Sequence, residues 1–222
     1  MSNPNNVQKT EYLLKTMLFD PTISNQLGVY NWASETSRWN ELVAILASHV
    51  CEQSEDDMKE LTQYLTDLGL LDVQKLAEID VCDNKIDRAN KKVGKIIDIF
   101  ERKDLSEEQA LKFLLPLCQI AKKLSADFGG KIQLYLRSYG MTMLREAMAF
   151  FPLQGMSKDE ALLIFTAWLQ RVANMPVLLL TSEVNEFCKK HELSSAELIE
   201  AADNIDMNVA IIDEMLKLEA KK

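Results

Sequence analysis

Apolar residues recur at helical spacing through almost every segment of this 222-residue chain, and this periodicity constrains its fold more than any other feature. They return every three or four positions instead of alternating, as one face of an α-helix requires and a strand does not. The chain has only seven Gly and five Pro, about half of the usual share of these helix-breaking residues. We therefore predict an all-α fold.

Start and stop signals divide this periodicity into separate helices. Ser106-x-x-Gln109 has the spacing of a capping box, in which two side chains satisfy free amides at a helix start. Pro116 follows and should kink or split that helix. The other elements that the pattern predicts are a helix over 85–103, a turn at Gly129-Gly130, a helix over 131–151 with a break near Gly140, and a last helix capped by Asp206.

The stretch from Leu153 to Val184 carries the sharpest local pattern in the chain. Gly155 precedes Ser157 and Glu160, which again have capping-box spacing. A tight glycine turn that joins two helices is therefore expected here. The second of these helices should bury a stripe made of Ala161, Leu162, Phe165, Trp168, Leu169 and Val172.

The order of signals continues beyond this helix. Pro176 should end it, a short apolar run follows, and Thr181 or Ser182 should cap the next helix. Over 148–193 this order of apolar run, glycine turn, helix, proline stop and capped helix resembles the helix-hairpin-helix DNA glycosylases of the endonuclease III type. The resemblance implies a bilobal helical fold that contacts double-stranded DNA.

The hairpin of that family reads Leu-Pro-Gly-apolar-Gly-x-Lys-x-Ala. Leu153 and Gly155 match it, Ser157 stands at the second glycine, and Asp159 occupies the lysine position. The resemblance places the contact with the DNA backbone at Gly155, Ser157 and Lys158, where a glycine lets amides at a helix start approach a phosphate. The same residues also fit a plain helix stop followed by a cap, and this alternative stays open.

The resemblance also identifies the positions of the family's catalytic groups. Without a lysine at Asp159 no amine can form a Schiff base, so any activity would be that of an N-glycosylase without β-lyase activity. Thr181 falls at the catalytic aspartate and cannot supply its charge. Glu183 is a possible substitute, although glutamate near a helix start is common because it complements the helix dipole.

The charge of the chain is unevenly distributed. Although the whole chain has a net charge of -9, segments 85–103 and 122–145 each carry four more basic than acidic residues. Phosphate binding follows the local field of one face, so these segments are candidates for nucleic-acid contact, unless they are simply solvated helix faces. The basic residues that we assign to DNA contact beside the hairpin are Lys131, Arg137 and Arg145.

Cysteine usage and hydropathy indicate the compartment. Cys51, Cys82, Cys118 and Cys188 are scattered without a close pair, as is typical of a reduced cytoplasmic protein and unlike a metal or iron–sulfur ligand set. No metal or cofactor is expected. No apolar run reaches transmembrane length and the polar start has no signal-peptide pattern, so we expect no membrane association.

Two hypotheses for function follow. The first is a DNA glycosylase-like, nucleic-acid-binding protein whose base-excision activity is lost or altered. The alternative is a non-enzymatic α-helical interaction module whose acidic surface serves a protein partner. The sequence pattern separates an N-terminal extension with a first helix, 1–38, from a helical core, 39–222.

Overall fold

The computed structural model describes residues 3–25, 27, 34–82, 85–139, 142–151, 153, 155–173, 175–178 and 181–220. Helices predominate over these residues, which confirms the all-α prediction. The helices are α1 Pro4–Phe19, α2 Pro21–Ser24, α3 Glu35–Cys51, α4 Glu55–Asp67, α5 Val73–Ala77, α6 Lys91–Glu101, α7 Glu107–Phe128, α8 Ile132–Tyr139, α9 Met143–Phe150, α10 Lys158–Ala173, α11 Ser182–His191, α12 Ser195–Asn204 and α13 Val209–Glu219. Two short strands, β1 Val81–Cys82 and β2 Lys85–Ile86, pair in antiparallel fashion.

The chain forms two compact units. A central unit spans 32–168, and a terminal unit combines both ends of the chain, 1–31 and 169–222. The separation of an N-terminal extension, 1–38, from a helical core, 39–222, was based on the sequence pattern alone and stays a prediction.

Helix α7 organises the central unit, where it packs against α3, α5, α6 and α8. Its start is the predicted capping box, because the Ser106 hydroxyl accepts from the amide of Gln109 and the Gln109 side chain accepts from the amide of Ser106. Pro116 was expected to kink or split this helix. The split is wrong, because α7 continues through the buried Pro116, where packing against neighbouring helices supports the turn, and a kink at this position stays a prediction.

The segment 85–103 departs from the prediction at its start. Ile86, expected in a helical stripe, belongs to the short hairpin of β1 and β2, and the helix begins only at Lys91. The reason is local, since the Asp87 carboxylate accepts from the amide of Ala89 and the Asn90 side chain caps α6. Such short polar side chains stabilise turns at the expense of helix.

Glycines end α7 as predicted. Gly129 and Gly130 have φ of +59° and +79°, and α8 follows them directly. The expected break in 131–151 is confirmed, because α8 and α9 are separate helices; Gly140 itself lies outside the described residues.

The terminal unit packs α1 against α12 and α13 around a core that includes Leu14, Ile23 and Ile212. Asp206 was expected to cap the last helix, which is wrong. Asp206 adopts φ of +54° after α12, and the Asn208 side chain caps α13 by accepting from the amide of Ala210 at 2.7 Å.

Candidate nucleic-acid interface

The glycine turn between α9 and α10 is present. Leu153 is buried, and its carbonyl accepts from the amide of Met156 at 3.2 Å, which closes the turn. Gly155 lies exposed at its tip with φ of +86°, a conformation that other residues adopt only with strain. A turn therefore lies at the position where the resemblance expects the hairpin.

The capping box that begins α10 is confirmed. The Glu160 carboxylate accepts from the amide of Ser157 at 2.6 Å, and the Ser157 hydroxyl accepts from the amide of Glu160 at 3.2 Å. The bonds to the Ser157 backbone and hydroxyl, with a further one to His49, lower the pKa of Glu160 to about 2. This carboxylate is therefore ionised at neutral pH, directly beside the turn.

Two side-chain contacts attach α10 to α3. His49 Nε2 lies 3.2 Å from the Glu160 carboxylate near the start of α10. Further along, the Trp168 indole donates to the carbonyl of Arg38 at 3.0 Å. The sequence alone could not pair His49 with Glu160, because 111 positions separate the two residues.

A cluster of aromatic rings lies beneath the turn. The Tyr135 ring of α8 is 5.0 Å from that of Phe151 and 6.3 Å from that of Trp168, measured between centroids. Trp168 and Phe165, both in the predicted stripe of α10, are fully buried. Leu162 was wrongly assigned to this stripe: it is 41% exposed, and Ile164 is buried instead.

The hairpin offers few free donors to a phosphate. The amides of Ser157 and Glu160 are occupied by the capping box. The two amides between them, of Lys158 and Asp159, lie at the start of the helix and have no acceptor among the described residues. The side chain of Lys158 is exposed, so it can supply a positive charge at this point.

The three predicted basic residues all belong to the central unit. Lys131 precedes α8, Arg137 lies in its last turn, and Arg145 lies in α9. All three are exposed. Arg145 Nε and Nη2 both lie within 3.1 Å of one carboxylate oxygen of Glu146, which partly neutralises this guanidinium.

Asp159 and Thr181, which the resemblance aligns with catalytic groups, both lie at helix starts. Asp159 lies exposed in the first turn of α10, where a negative charge complements the helix dipole. Thr181 is the N-cap of α11, and its hydroxyl accepts from the amide of Val184 at 3.3 Å. A capping hydroxyl carries no charge, so it can neither stabilise a cationic sugar nor activate water as a carboxylate does.

Glu183 follows in the same helix start. Its own amide and the side chains of Thr181 and Ser182 donate to it, which lowers the pKa of its carboxyl group. A carboxylate held in the ionised form can act as a base but not as a general acid. Thr181 and Glu183 belong to the terminal unit, whereas Gly155 belongs to the central unit.

Metal and thiol chemistry find no support in the part of the chain that is described. It contains no group of three or more side chains arranged to hold a metal ion. Burial raises the pKa of the Cys51 thiol to about 11 and that of Cys118 to about 12, so both thiols are protonated and poorly nucleophilic at neutral pH. Cys188 is a third free thiol, and burial raises its pKa as well.

Over the residues described, no helix combines the length and the apolar character needed to cross a membrane. Comparison with known proteins finds no protein family, no curated protein and no solved structure that matches this chain.

Proposed function

We propose that this protein binds double-stranded DNA through the glycine turn before α10 and does not excise bases. The observation that carries the proposal is the exposed Gly155, with φ of +86°, at the start of a 16-residue helix. An exposed turn of this kind lets backbone amides approach a phosphate, and the helix dipole favours the negative charge.

The chemistry of the turn supports binding through few contacts. The free amides of Lys158 and Asp159 and the Lys158 ammonium would meet one phosphate, while the ionised Glu160 carboxylate next to them limits its approach. Additional affinity must then come from Lys131 and Arg137, because of the three predicted basic residues only Arg145 has a carboxylate partner among the described residues. The expected binding is weak, independent of base sequence and steeply dependent on salt.

The loss of base excision in this proposal rests on two positions. Asp159 supplies a carboxylate where a Schiff base needs an amine. Thr181 uses its hydroxyl to cap α11. With protonated, buried thiols at Cys51 and Cys118, the reduced cytoplasm is the compartment that we assign to this activity.

The test is fluorescence anisotropy of a short labelled DNA duplex over a range of salt concentrations. We expect the logarithm of the wild-type association constant to fall linearly with the logarithm of the salt concentration. The magnitude of this slope should decrease by about 2 to 3 when Lys131, Arg137 and Arg145 are all changed to alanine. Changing the three exposed residues Lys15, Lys189 and Lys190 to alanine removes the same charge from the terminal unit and should leave the slope nearly unchanged.

Two results would overturn the proposal. Absence of binding at low salt removes DNA as a ligand. Release of a base, or trapping of a covalent complex with borohydride on a duplex that contains uracil or an abasic site, shows that catalysis persists in spite of Thr181 and Asp159.

A further inference from the structure

The crevice between α3, α5 and the end of α7 has a volume of about 370 Å3, but its polar side chains already bind other groups of the protein. The Glu35 carboxylate accepts from the amide of Gln133 at 3.1 Å, and Thr66 donates to Asn40 at the same distance. The Gln74 side chain donates to the carbonyl of Gly129. A ligand in this crevice would have to replace these bonds.

A shallower groove of about 260 Å3 in the central unit has exposed apolar residues and cations without a carboxylate partner. Its floor contains the buried side chains of Leu70 and Ile99. Its wall presents Tyr64 of α4 and Leu68, the residue that directly follows α4, which are 49% and 51% exposed. Exposed apolar residues that line one concave surface are typical of binding sites rather than of ordinary protein surface.

Two cations flank this apolar surface: Lys95 of α6, and Arg102, the residue that directly follows α6. Lys95 lies four positions before Ile99 and Arg102 lies three positions after it, so all three share one helix face. Both line the groove, and neither has a carboxylate partner among the described residues. Two of the other cations of 85–103 are paired with carboxylates: Arg88 lies 3.0 Å from Glu107, and Lys92 lies 3.2 Å from Glu78.

We propose that this groove docks an acidic amphipathic segment of a partner protein. A leucine or phenylalanine side chain of that segment would insert between Leu68 and Ile99, and carboxylates on either side of it would pair with Lys95 and Arg102. The groove combines an apolar surface with two unpartnered cations, and this combination favours a segment that is both apolar and acidic. Complementary charge gives specificity and speeds association.

The floor of the groove favours a peptide over a nucleic acid. Leu68, Leu70 and Ile99 are aliphatic, whereas bases stack on aromatic rings, and Tyr64 is the single aromatic ring among the lining residues. The Asp98 carboxylate also lines the groove and would repel phosphates and peptide carboxylates alike, so it does not distinguish the two ligands. This surface shares no residue with the glycine turn, so the inference does not depend on the proposed function.

The experiment uses the full chain and a labelled synthetic helical peptide that carries leucines on one face and glutamates on both flanks. Fluorescence anisotropy near physiological ionic strength should show saturable binding. We expect the Lys95→Glu, Arg102→Glu double variant to bind about five- to tenfold more weakly. Leu68→Gln should weaken binding about tenfold, because it removes an apolar contact at the centre of the surface.

Matched controls separate the groove from general charge. Lys91→Glu with Lys103→Glu changes the same net charge on or next to the same helix, at exposed residues that do not line the groove, and should leave affinity unchanged. A peptide with lysine in place of glutamate should not bind. Circular dichroism of each variant, whose changed residues are exposed, confirms that the fold is retained.

Three outcomes overturn the inference. The acidic peptide fails to bind, or the two charge-reversal variants lose affinity equally, or a single-stranded oligothymidine competes for the groove and loses affinity with Lys95→Glu, Arg102→Glu. The last result would assign the groove to a nucleic acid. Loss of duplex binding by the variant with Lys131, Arg137 and Arg145 changed to alanine would test the proposed function and would not affect any of these three outcomes.

Discussion

Single residues at helix starts have capping roles that account for their residue types. Thr181 and Ser157 each accept from an amide of the helix that they begin, and Glu160 returns a bond to Ser157. Loss of such a cap typically costs about 1 kcal/mol of folding free energy, which is sufficient reason for these residue types without any catalytic role. At these positions helix capping and catalysis are competing explanations, and the hydrogen bonds favour capping.

Two glycines of the central unit should respond in opposite ways to substitution by alanine. Gly155 has φ of +86°, so Gly155→Ala should lower the free energy of unfolding by about 1 kcal/mol, although no atom lies within 4 Å of the added methyl group. Gly94 lies inside α6, also with nothing within 4 Å. Gly94→Ala should therefore raise the free energy of unfolding by about 0.5 to 1 kcal/mol.

Urea unfolding of both variants and of wild type measures this difference. The two substitutions add the same methyl group, so each serves as the control for the other. Equal effects would contradict the left-handed conformation at Gly155. A loss of DNA affinity in Gly155→Ala, with the fold intact, would connect the turn to binding.

Residues three positions apart could be paired from the sequence, and more distant ones could not. The boxes at Ser106–Gln109 and Ser157–Glu160 were predicted because both partners lie in one helical turn. The contact of His49 with Glu160 was not, because it depends on how α3 meets α10. Local hydrogen bonds follow from spacing, whereas bonds between elements require the tertiary structure.

At the scale of elements, one carboxylate ties α1 to α12. Glu197 Oε2 accepts from the amide of Ser194 at 2.8 Å, which closes the capping box of α12. Glu197 Oε1 accepts from the amide of Asn3 at 3.0 Å and from the Asn6 side chain at 3.1 Å, both at the start of α1. These bonds, first to the backbone of Ser194 and Asn3, lower the pKa of Glu197 to about 2.

This linkage predicts a pH-dependent effect of Glu197→Gln. Because the pKa in the folded protein is lowered from its ordinary value of 4.5 to about 2, the ionised group stabilises the fold above about pH 4.5, and this contribution is lost as the pH falls towards 2. The variant should therefore be less stable than wild type at pH 6, and the difference should shrink as the solution is acidified.

Urea midpoints of both proteins at several pH values between 6 and 3 check this expectation. Glu200→Gln removes an exposed carboxylate from the same helix and should show no comparable trend. A stability difference between wild type and Glu197→Gln that stays constant down to pH 3 would contradict the assigned role.

Element boundaries were predictable where a residue has a strong backbone preference. The double glycine after α7 and the separation of α8 from α9 were both found where the pattern put them. The hairpin of β1 and β2 was missed because Ile86 fits a helical stripe by spacing alone, while the Asp87 turn favours a different backbone path. At Pro116 the tertiary packing of α7 overrides a local helix-breaking preference.

At the scale of the whole molecule, both ends of the chain build one unit. Leu14 of α1 is fully buried in a core with Leu198 of α12 and with Ile212 and Met215 of α13. No local pattern could predict this arrangement, because nearly the whole chain separates the two ends. Folding of the terminal unit therefore requires closure of a loop that contains the entire central unit, and the entropic cost of this closure grows only slowly with loop length.

This topology predicts that a destabilising substitution near one end of the chain also destabilises the helices at the other end. Leu14→Ala leaves a cavity in the shared core and should lower the stability of the terminal unit by about 2 to 5 kcal/mol. Hydrogen exchange measured by mass spectrometry should then become faster in α12 and α13, while α7 of the central unit keeps its protection. Tyr12→Ala, which truncates a side chain 72% exposed on the same helix, is the control and should change neither. Unchanged exchange in α12 and α13 of Leu14→Ala, or an equal acceleration in α7, would show that the two ends of the chain do not form a separate cooperative unit.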